Sequence, residues 1–166
     1  MVVSGPPGSG KTTLAPPLAE RLGLPLLAKD TIKDALMEAL GAPDVEASRR
    51  LGGAAIAAMF AVAAASPVGA VIESNLRRSH AVHDMRRLPG AVVEVFCRCP
   101  REVATARYLE RAGTRHAGHF DGDRHPDELW NDEVAEPVAG GWPVLEVDTT
   151  SPVDLDGLVT AILRSS

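Results

Sequence analysis

Residues 5–12 read GPPGSGKT and match the spaced pattern G-x-x-x-x-G-K-[ST] near the start of a 166-residue chain. Glycines let backbone N–H groups converge on phosphate oxygens, at backbone angles that other residues resist. The lysine of this pattern can reach β- and γ-phosphates, and the final hydroxyl can ligate Mg²⁺. An apolar, strand-like segment precedes the loop, and Leu14, Leu18 and Leu22 follow it at helical spacing. This order predicts a Walker A phosphate-binding loop rather than a Gly/Pro-rich turn. Its predicted nucleotide-binding residues are Gly5, Pro6, Pro7, Gly8, Ser9, Gly10, Lys11, Thr12 and Thr13.

Composition and charge are typical of one globular domain spanning residues 1–166. Apolar residues make up 45% of the chain and charged residues 23%, and we find no linker or repeat. The net charge of −5 disfavours a broad nucleic-acid surface, although a local basic pocket could still hold an oligonucleotide end. No apolar run reaches membrane-spanning length and no secretory signal is visible, so we expect a cytoplasmic protein without a membrane partner. Nothing in the sequence indicates an oligomeric state.

Short apolar runs alternate with helical segments along the chain. Val68–Ile72 and Ala91–Cys99 are mainly apolar, as in strands that are buried on both faces. Thr31–Leu40 and Val45–Ala65 have helical spacing instead. The alternation predicts an α/β three-layer sandwich, with a parallel sheet between two layers of helices. Functional residues should then gather at the carboxyl ends of the strands.

Polar residues follow several predicted strands at that edge. Glu73 ends one strand, where a carboxylate can hold Mg²⁺; a solvated loop acid is the alternative. Asp30 follows another strand and could accept a proton from an attacking hydroxyl, or cap the next helix, or do both. Lys33 lies one turn later and can contact substrate or phosphate from the same helix face. Asn75, two residues beyond Glu73, is a further candidate for substrate binding.

Arginines at four-residue spacing form a second candidate group. Arg107 and Arg111 share a helix face, and Arg115 follows in an irregular segment. Such side chains can stabilise the charge that develops on a transferring phosphoryl group. The irregular segment, about residues 112–126, is predicted to be a mobile lid. We interpret its histidines as solvated rather than metal-binding: His116, His119 and His125.

With these features in place, the chain resembles the small P-loop kinases of the nucleoside-monophosphate-kinase-like group. It is most similar to the branch that contains the kinase domain of phage polynucleotide kinase and chloramphenicol phosphotransferase. The resemblance rests on four blocks in order, which are Gly5–Thr12, Lys29–Lys33, Val71–Leu76 and Arg107–Arg111.

The resemblance implies roles for several of these residues. Asp30 would be catalytic, together with Lys11, and Lys33 would contact the substrate. Arg107 and Arg111 would be lid arginines. It also implies five strands in the order 2-3-1-4-5, and an adenine pocket built partly by Asp148, Thr149 and Thr150.

The chain departs from this family in two places. Glu73 stands where relatives often have aspartate, which leaves open whether it contacts Mg²⁺ directly. The segment Leu40–Pro67, where relatives choose their substrates, is rich in alanine and carries no readable motif.

The first functional hypothesis is an ATP- and Mg²⁺-dependent kinase that phosphorylates a hydroxyl of a small-molecule acceptor. A polynucleotide 5′-hydroxyl kinase or a nucleotide-sugar kinase is an alternative enzyme. A nucleotide-binding switch or accessory module without transfer activity is the alternative from another class. The chain has no Asn-Lys-x-Asp stretch to read guanine, and its length leaves little room for the extra helical domain of a motor.

Overall fold

The computed structural model describes residues 1–112, 119–120 and 126–165. Strands and helices alternate along these ranges. The strands are β1 (Val2–Ser4), β2 (Leu26–Ala28), β3 (Val71–Glu73), β4 (Glu94–Arg98) and β5 (Val144–Asp148). The helices are α1 (Lys11–Leu22), α2 (Lys29–Leu40), α3 (Val45–Ala65), α4 (Arg78–Arg86), α5 (Arg101–Ala112), α6 (Pro126–Leu129), α7 (Asp132–Ala135) and α8 (Leu155–Ser165).

The strands form one parallel five-stranded sheet in the order β2-β3-β1-β4-β5. The central strand β1 pairs with β3 through Val2 and Ile72, and with β4 through Val2 and Glu94. The predicted α/β class and strand order are therefore confirmed. Because all strands run in one direction, their carboxyl ends share one edge, where the phosphate-binding loop lies.

Helices cover both faces of this sheet. Val3 points into a core with the apolar faces of α1 and α8, whereas Val2 points into a second core with α3 and α4. Side chains alternate between the two faces of a strand, so neighbouring valines of β1 belong to different layers. Both side chains are fully buried, which explains why the strand is a continuous apolar run.

Helix α1 continues through Pro16 and Pro17, although each lacks the N–H that would bond four residues back. The affected carbonyls belong to Thr12 and Thr13 on a solvent-facing stretch. Water can satisfy carbonyls there, which explains how the helix tolerates both prolines.

A buried acid joins the sheet to the segment before β5. The Glu94 carboxylate accepts hydrogen bonds from Ser4 Oγ (2.7 Å), the backbone N–H groups of Val138 (2.9 Å) and Ala139 (3.0 Å), and Trp142 Nε1 (3.0 Å). The side chain is fully buried. A buried carboxylate is stable only with such partners, so Glu94 organises this segment beneath the end of β1.

None of the helices in the described ranges combines the length and apolarity that a membrane crossing requires.

Candidate active site

The loop between β1 and α1 depends on glycines at three positions. Gly5, Gly8 and Gly10 have φ angles of +139°, +77° and +86°, a region that side chains rarely adopt. A Cβ on Gly8 would lie 2.0 Å from the backbone carbonyl oxygen of Ala104 in α5. The loop is therefore packed directly against α5, and any side chain at this position would push the two apart.

An aromatic cluster also supports this loop. Trp130 donates its Nε1–H to the Pro7 carbonyl oxygen at 3.1 Å, and it is buried. The Tyr108 ring of α5 meets the Trp130 ring edge-on, with centroids 5.3 Å apart and planes at 84°. Trp130 is a positioning residue that the sequence analysis missed. Trp130 lies far from the loop in the sequence, so no local sequence pattern indicates that the two are in contact.

The ends of β1, β2 and β3 meet at a small cavity of about 40 Å³, which we call the phosphate pocket. Its walls include predicted residues from four separate segments: Pro7, Lys11, Thr12, Asp30, Glu73, Asn75 and Arg111. The parallel sheet thus brings together side chains that are more than 100 positions apart in the sequence. A loop lysine, two carboxylates and an arginine now surround one space.

Lys11 and Glu73 perturb each other inside this pocket. Lys11 is buried and donates to the Pro6 carbonyl oxygen at 2.7 Å. Burial lowers the pKa of Lys11, and the nearby charge of Glu73 works against that shift. Burial likewise raises the pKa of Glu73, and Lys11 opposes it. Each charge makes the other less costly to bury, as expected for opposite charges in a site that binds ionic ligands.

The residues of the pocket fit a magnesium ion that arrives with nucleotide phosphates. Thr12 and Glu73 supply hydroxyl and carboxylate oxygens, the ligands that Mg²⁺ prefers. The buried hydroxyl of Ser74, which also lines the pocket, makes no hydrogen bond to the described part of the chain. A buried polar atom in that condition is a place where a ligand or its water shell can bond. Within the described ranges, no group of three or more His, Cys, Asp or Glu side chains could hold a metal alone, so phosphate oxygens would complete the shell.

Asp30 lies in the first turn of α2 and does not cap it. The helix begins at Lys29 and its N-cap is Ala28, which has no side chain that could bond the helix N–H groups. The capping interpretation is therefore wrong, because the helix starts earlier than the apolar spacing indicated. The Asp30 carboxylate instead lines the phosphate pocket, where Lys29 Nζ lies 2.8 Å from its Oδ1.

The two predicted arginines of α5 line different cavities. Arg111 lines the phosphate pocket. Arg107 lines a different cavity and donates to the Thr149 carbonyl oxygen at 3.1 Å. Arg115, and most of the predicted lid at 112–126, lie outside the described residues.

One lid histidine can be placed. His119 lines the phosphate pocket and is buried, with Nε2 2.6 Å from Asp34 Oδ1 on α2. The interpretation of His119 as solvated is therefore wrong, because packing between distant segments buries it. His116 and His125 lie outside the described residues.

The cavity beside Arg107 has a volume of about 410 Å³. We call it the base pocket, after the nucleotide base that the resemblance implies beside Thr149. Its walls include Gly10, Thr13, Pro17, Arg107, Thr149 and Pro152. Thr149 Oγ1 lies 2.7 Å from the Ser9 carbonyl oxygen, which ties this pocket to the phosphate-binding loop. Asp148 is not in the wall. Its exposed carboxylate accepts from the hydroxyl and the backbone N–H of Thr150, and these bonds lower its pKa.

A larger cavity of about 730 Å³ lies between α2, α3 and α4, and we call it the acceptor cavity. Of the predicted substrate residues, Lys33 and Asn75 line it and Asp30 does not. The other polar wall residues were not predicted from the sequence; they are Lys29, Ser48, Arg49, Arg77, His80 and Asp84. One signal was available: Gly52 and Gly53 stand inside α3, where glycine weakens a helix, and both line this cavity.

Comparison with known proteins agrees with this fold. Residues 1–134 match the AAA_33 family model, described as an AAA domain. A "putative kinase" from Chloroflexus aurantiacus J-10-fl is 32% identical with a TM-score of 0.86, covering 99% of this chain and 96% of that one. A gluconokinase from Sinorhizobium meliloti 1021 is 24% identical with a TM-score of 0.62, covering 99% of this chain and 89% of that one.

A more distant structure is the shikimate kinase from Acinetobacter baumannii in complex with shikimate. It is 18% identical with a TM-score of 0.55, and covers 98% of this chain and 89% of that one. No curated protein matches the chain significantly in sequence. The match to the family model over most of the chain, and the P-loop kinase fold of these neighbours, establish its relationships. The chain belongs to the AAA_33 family, and its fold is that of the small P-loop kinases.

Proposed function

We propose that this protein is an ATP- and Mg²⁺-dependent kinase that transfers the γ-phosphoryl group to a hydroxyl of a small molecule bound in the acceptor cavity. The observation that carries the proposal is that the phosphate pocket and the acceptor cavity have wall residues in common. Lys29, Asn75 and Leu129 line both the phosphate pocket and the acceptor cavity. A hydroxyl that enters from the acceptor cavity would therefore meet a terminal phosphate beside Asp30. We expect the enzyme to act in the cytoplasm, where ATP is supplied.

Each pocket has a part in this reaction. The base pocket, with Arg107 and Thr149, would hold the nucleoside, and Lys11 would bind the β- and γ-phosphates. Thr12 and Glu73 would hold Mg²⁺, which when bound neutralises phosphate charge.

Asp30 would accept the proton of the acceptor hydroxyl while the hydroxyl oxygen forms the new bond to phosphorus. The bond between phosphorus and the β-phosphate oxygen breaks, and ADP leaves. Arg111 faces the same pocket and would stabilise the charge on the transferring group. Arg107 lies in the base pocket, so we assign it to nucleotide binding rather than to transfer.

The test is an ATP-consumption screen over sugars, polyhydroxy acids, nucleosides, aminoglycosides and oligonucleotide 5′ ends, followed by variants at Asp30. Asp30→Asn should lower kcat by about a thousandfold while ATP binding is retained. Glu38→Gln removes an exposed carboxylate from the same helix and should leave kcat unchanged. Normal turnover by Asp30→Asn would remove Asp30 from the mechanism. A protein that binds ATP but forms no product with any hydroxyl acceptor would support a switch or an accessory module.

A polynucleotide 5′-hydroxyl kinase is the second candidate, because Arg49 and Arg77 are exposed and line the acceptor cavity. Two exposed cations suit a single-stranded end better than a long duplex. Oligonucleotide binding that weakens steeply as salt rises, together with phosphorylation of a 5′ end, would favour this candidate.

A further inference from the structure

Most of the charged side chains that line the acceptor cavity are basic, although the whole protein is acidic. The whole chain has a net charge of −5. The basic residues in the cavity wall are Lys29, Lys33, Arg49 and Arg77, against the single acid Asp84. A cavity lined mainly by one sign of charge concentrates ligands of the other sign.

These cations lie at different positions along the cavity. Lys29 lies at the junction with the phosphate pocket, where it pairs with Asp30. Lys33 is only 2% exposed, and its Nζ donates to Ser48 Oγ at 2.7 Å, joining α2 to α3. Arg77 precedes α4 and is exposed. Positive charge therefore extends from the reacting end of the cavity to its solvent side.

Three separate segments contribute the cations beyond the junction. Lys33 comes from α2, Arg49 from α3, and Arg77 from the residue before α4. Guanidinium groups pair with carboxylates and phosphates through two parallel hydrogen bonds, and a lysine adds a compact charge. A ligand in this cavity is therefore faced by cations from all three segments.

Helix α3 leaves room for such a ligand. A Cβ on Gly52 would lie 3.9 Å from the side-chain carbons of Lys29 and Lys33, and one on Gly53 would meet nothing within 4 Å. Longer side chains here would enter the cavity beside the lysines. The volume of about 730 Å³ is in the range of small-molecule sites.

We propose that the acceptor is a small hydroxylated acid, whose anionic oxygens bind Lys33, Arg49 and Arg77 while a hydroxyl at its other end reaches Asp30. This inference rests on the proposed function. A carboxylate and a phosphate ester share the required chemistry, so either can supply the anionic group. The proposal excludes aminoglycosides and other cationic acceptors, and it places neutral polyols well below acids.

The first experiment measures binding without turnover. Calorimetry on the full chain, with ADP and Mg²⁺ present, compares acids with neutral counterparts of similar shape: glycerate with glycerol, and gluconate with glucitol. Glycerol 3-phosphate serves as the phosphate ester. We expect an acid to bind at least about tenfold more tightly than its neutral counterpart, the ratio expected from one charged hydrogen bond. Comparing glycerate with glycerol 3-phosphate shows which anionic group is preferred.

The second experiment uses neighbouring arginines as matched controls. Arg49→Gln and Arg77→Gln should each raise the KM or Kd for the acid about tenfold, with the KM for ATP unchanged. Arg50→Gln and Arg78→Gln remove exposed arginines next in the sequence that do not line the cavity. These two variants should behave like the wild type. Circular dichroism checks that all four variants are folded.

Failure of this inference differs from failure of the proposed function. Phosphorylation of a neutral or cationic acceptor, with no preference for any acid, would overturn the inference but would still support the proposed kinase activity. Preferential phosphorylation of an oligonucleotide would do the same. Arginine-dependent acid binding without any phosphorylated product would support the anion site and count against the kinase. Equal binding of acids and neutral counterparts overturns the inference whatever the turnover.

Discussion

The indole N–H of Trp130 is hydrogen-bonded to the carbonyl oxygen of Pro7, so a residue far along the chain holds the phosphate-binding loop. The chain has two tryptophans, and the other, Trp142, bonds to Glu94. Trp130→Phe keeps an aromatic ring but loses the hydrogen bond. We expect the Kd for ATP to rise about fivefold, since a net hydrogen bond contributes about 1 kcal/mol.

Fluorescence provides the measurement. ATP should change the emission of Trp130 in a Trp142→Phe protein, whereas Trp130→Phe should lose the response. Calorimetry gives the affinity of each variant. Wild-type ATP affinity in Trp130→Phe would show that the hydrogen bond does not position the loop.

Gly8→Ala should abolish ATP binding and lower the free energy of unfolding by about 3 kcal/mol or more, because strain at positive φ adds to a collision with the Ala104 carbonyl. Gly23→Ala is the matched control. Gly23 also has positive φ, at +64°, but a Cβ there meets nothing within 4 Å. It should cost only about 1–2 kcal/mol and leave ATP binding intact. Urea denaturation compares the two, and equal losses would contradict the packing argument.

Glu94→Gln should lower the free energy of unfolding by about 3 kcal/mol, because an amide N–H would then face the donors that the buried carboxylate now accepts. Glu146→Gln is the control, since this carboxylate is half exposed and pairs with Arg98 at the surface. Its loss should stay below about 1 kcal/mol. Similar unfolding midpoints in urea for both variants would contradict the role assigned to Glu94.

The magnesium requirement should depend on the ionisation of Glu73. Only the carboxylate form can hold Mg²⁺, and burial raises the pKa of Glu73 above its ordinary value of 4.5. As pH falls through that raised pKa, the folded protein binds a proton at Glu73 and the KM for Mg²⁺ rises. The change therefore begins at a higher pH than an exposed glutamate would give. The measurement is initial rate against Mg²⁺ concentration at each pH, relative to pH 8.

Glu73→Gln should have a high KM for Mg²⁺ at every pH, without the acidic rise. The exposed Glu38→Gln should keep the wild-type profile. A KM for Mg²⁺ that stays constant from pH 8 to 4.5 in the wild type would contradict the assignment of Glu73.

The grouping of residues around the phosphate pocket could be predicted because its signals are local. The glycines, Lys11 and Thr12 occupy fixed positions around one loop. Asp30 comes shortly after β2 and Glu73 ends β3, so a parallel sheet places both at one edge. The exact start of α2 was missed by two residues, which led to the capping interpretation of Asp30. Helix ends carry weaker signals than helix interiors, so such an error is expected.

The acceptor side could not be predicted, because it arises from packing between elements. Arg49 and Arg77 line one cavity only through the way α3 packs on α2 and meets the segment before α4. No spacing rule links residues from separate elements. The burial of His119 against Asp34 has the same origin. Of the residues in that cavity wall, only Lys33 and Asn75 were predicted from the sequence to bind substrate.

Helix α5 contributes at three positions: Ala104 packs against Gly8, Arg107 lines the base pocket, and Arg111 lines the phosphate pocket. A residue inserted in α5 would rotate its later positions by about 100° and disturb these contacts together. Helix α3 lines the acceptor cavity and neither of the other two pockets. Substitutions in α3 can therefore change the size and charge of the acceptor cavity while the residues that line the phosphate pocket and the base pocket stay the same.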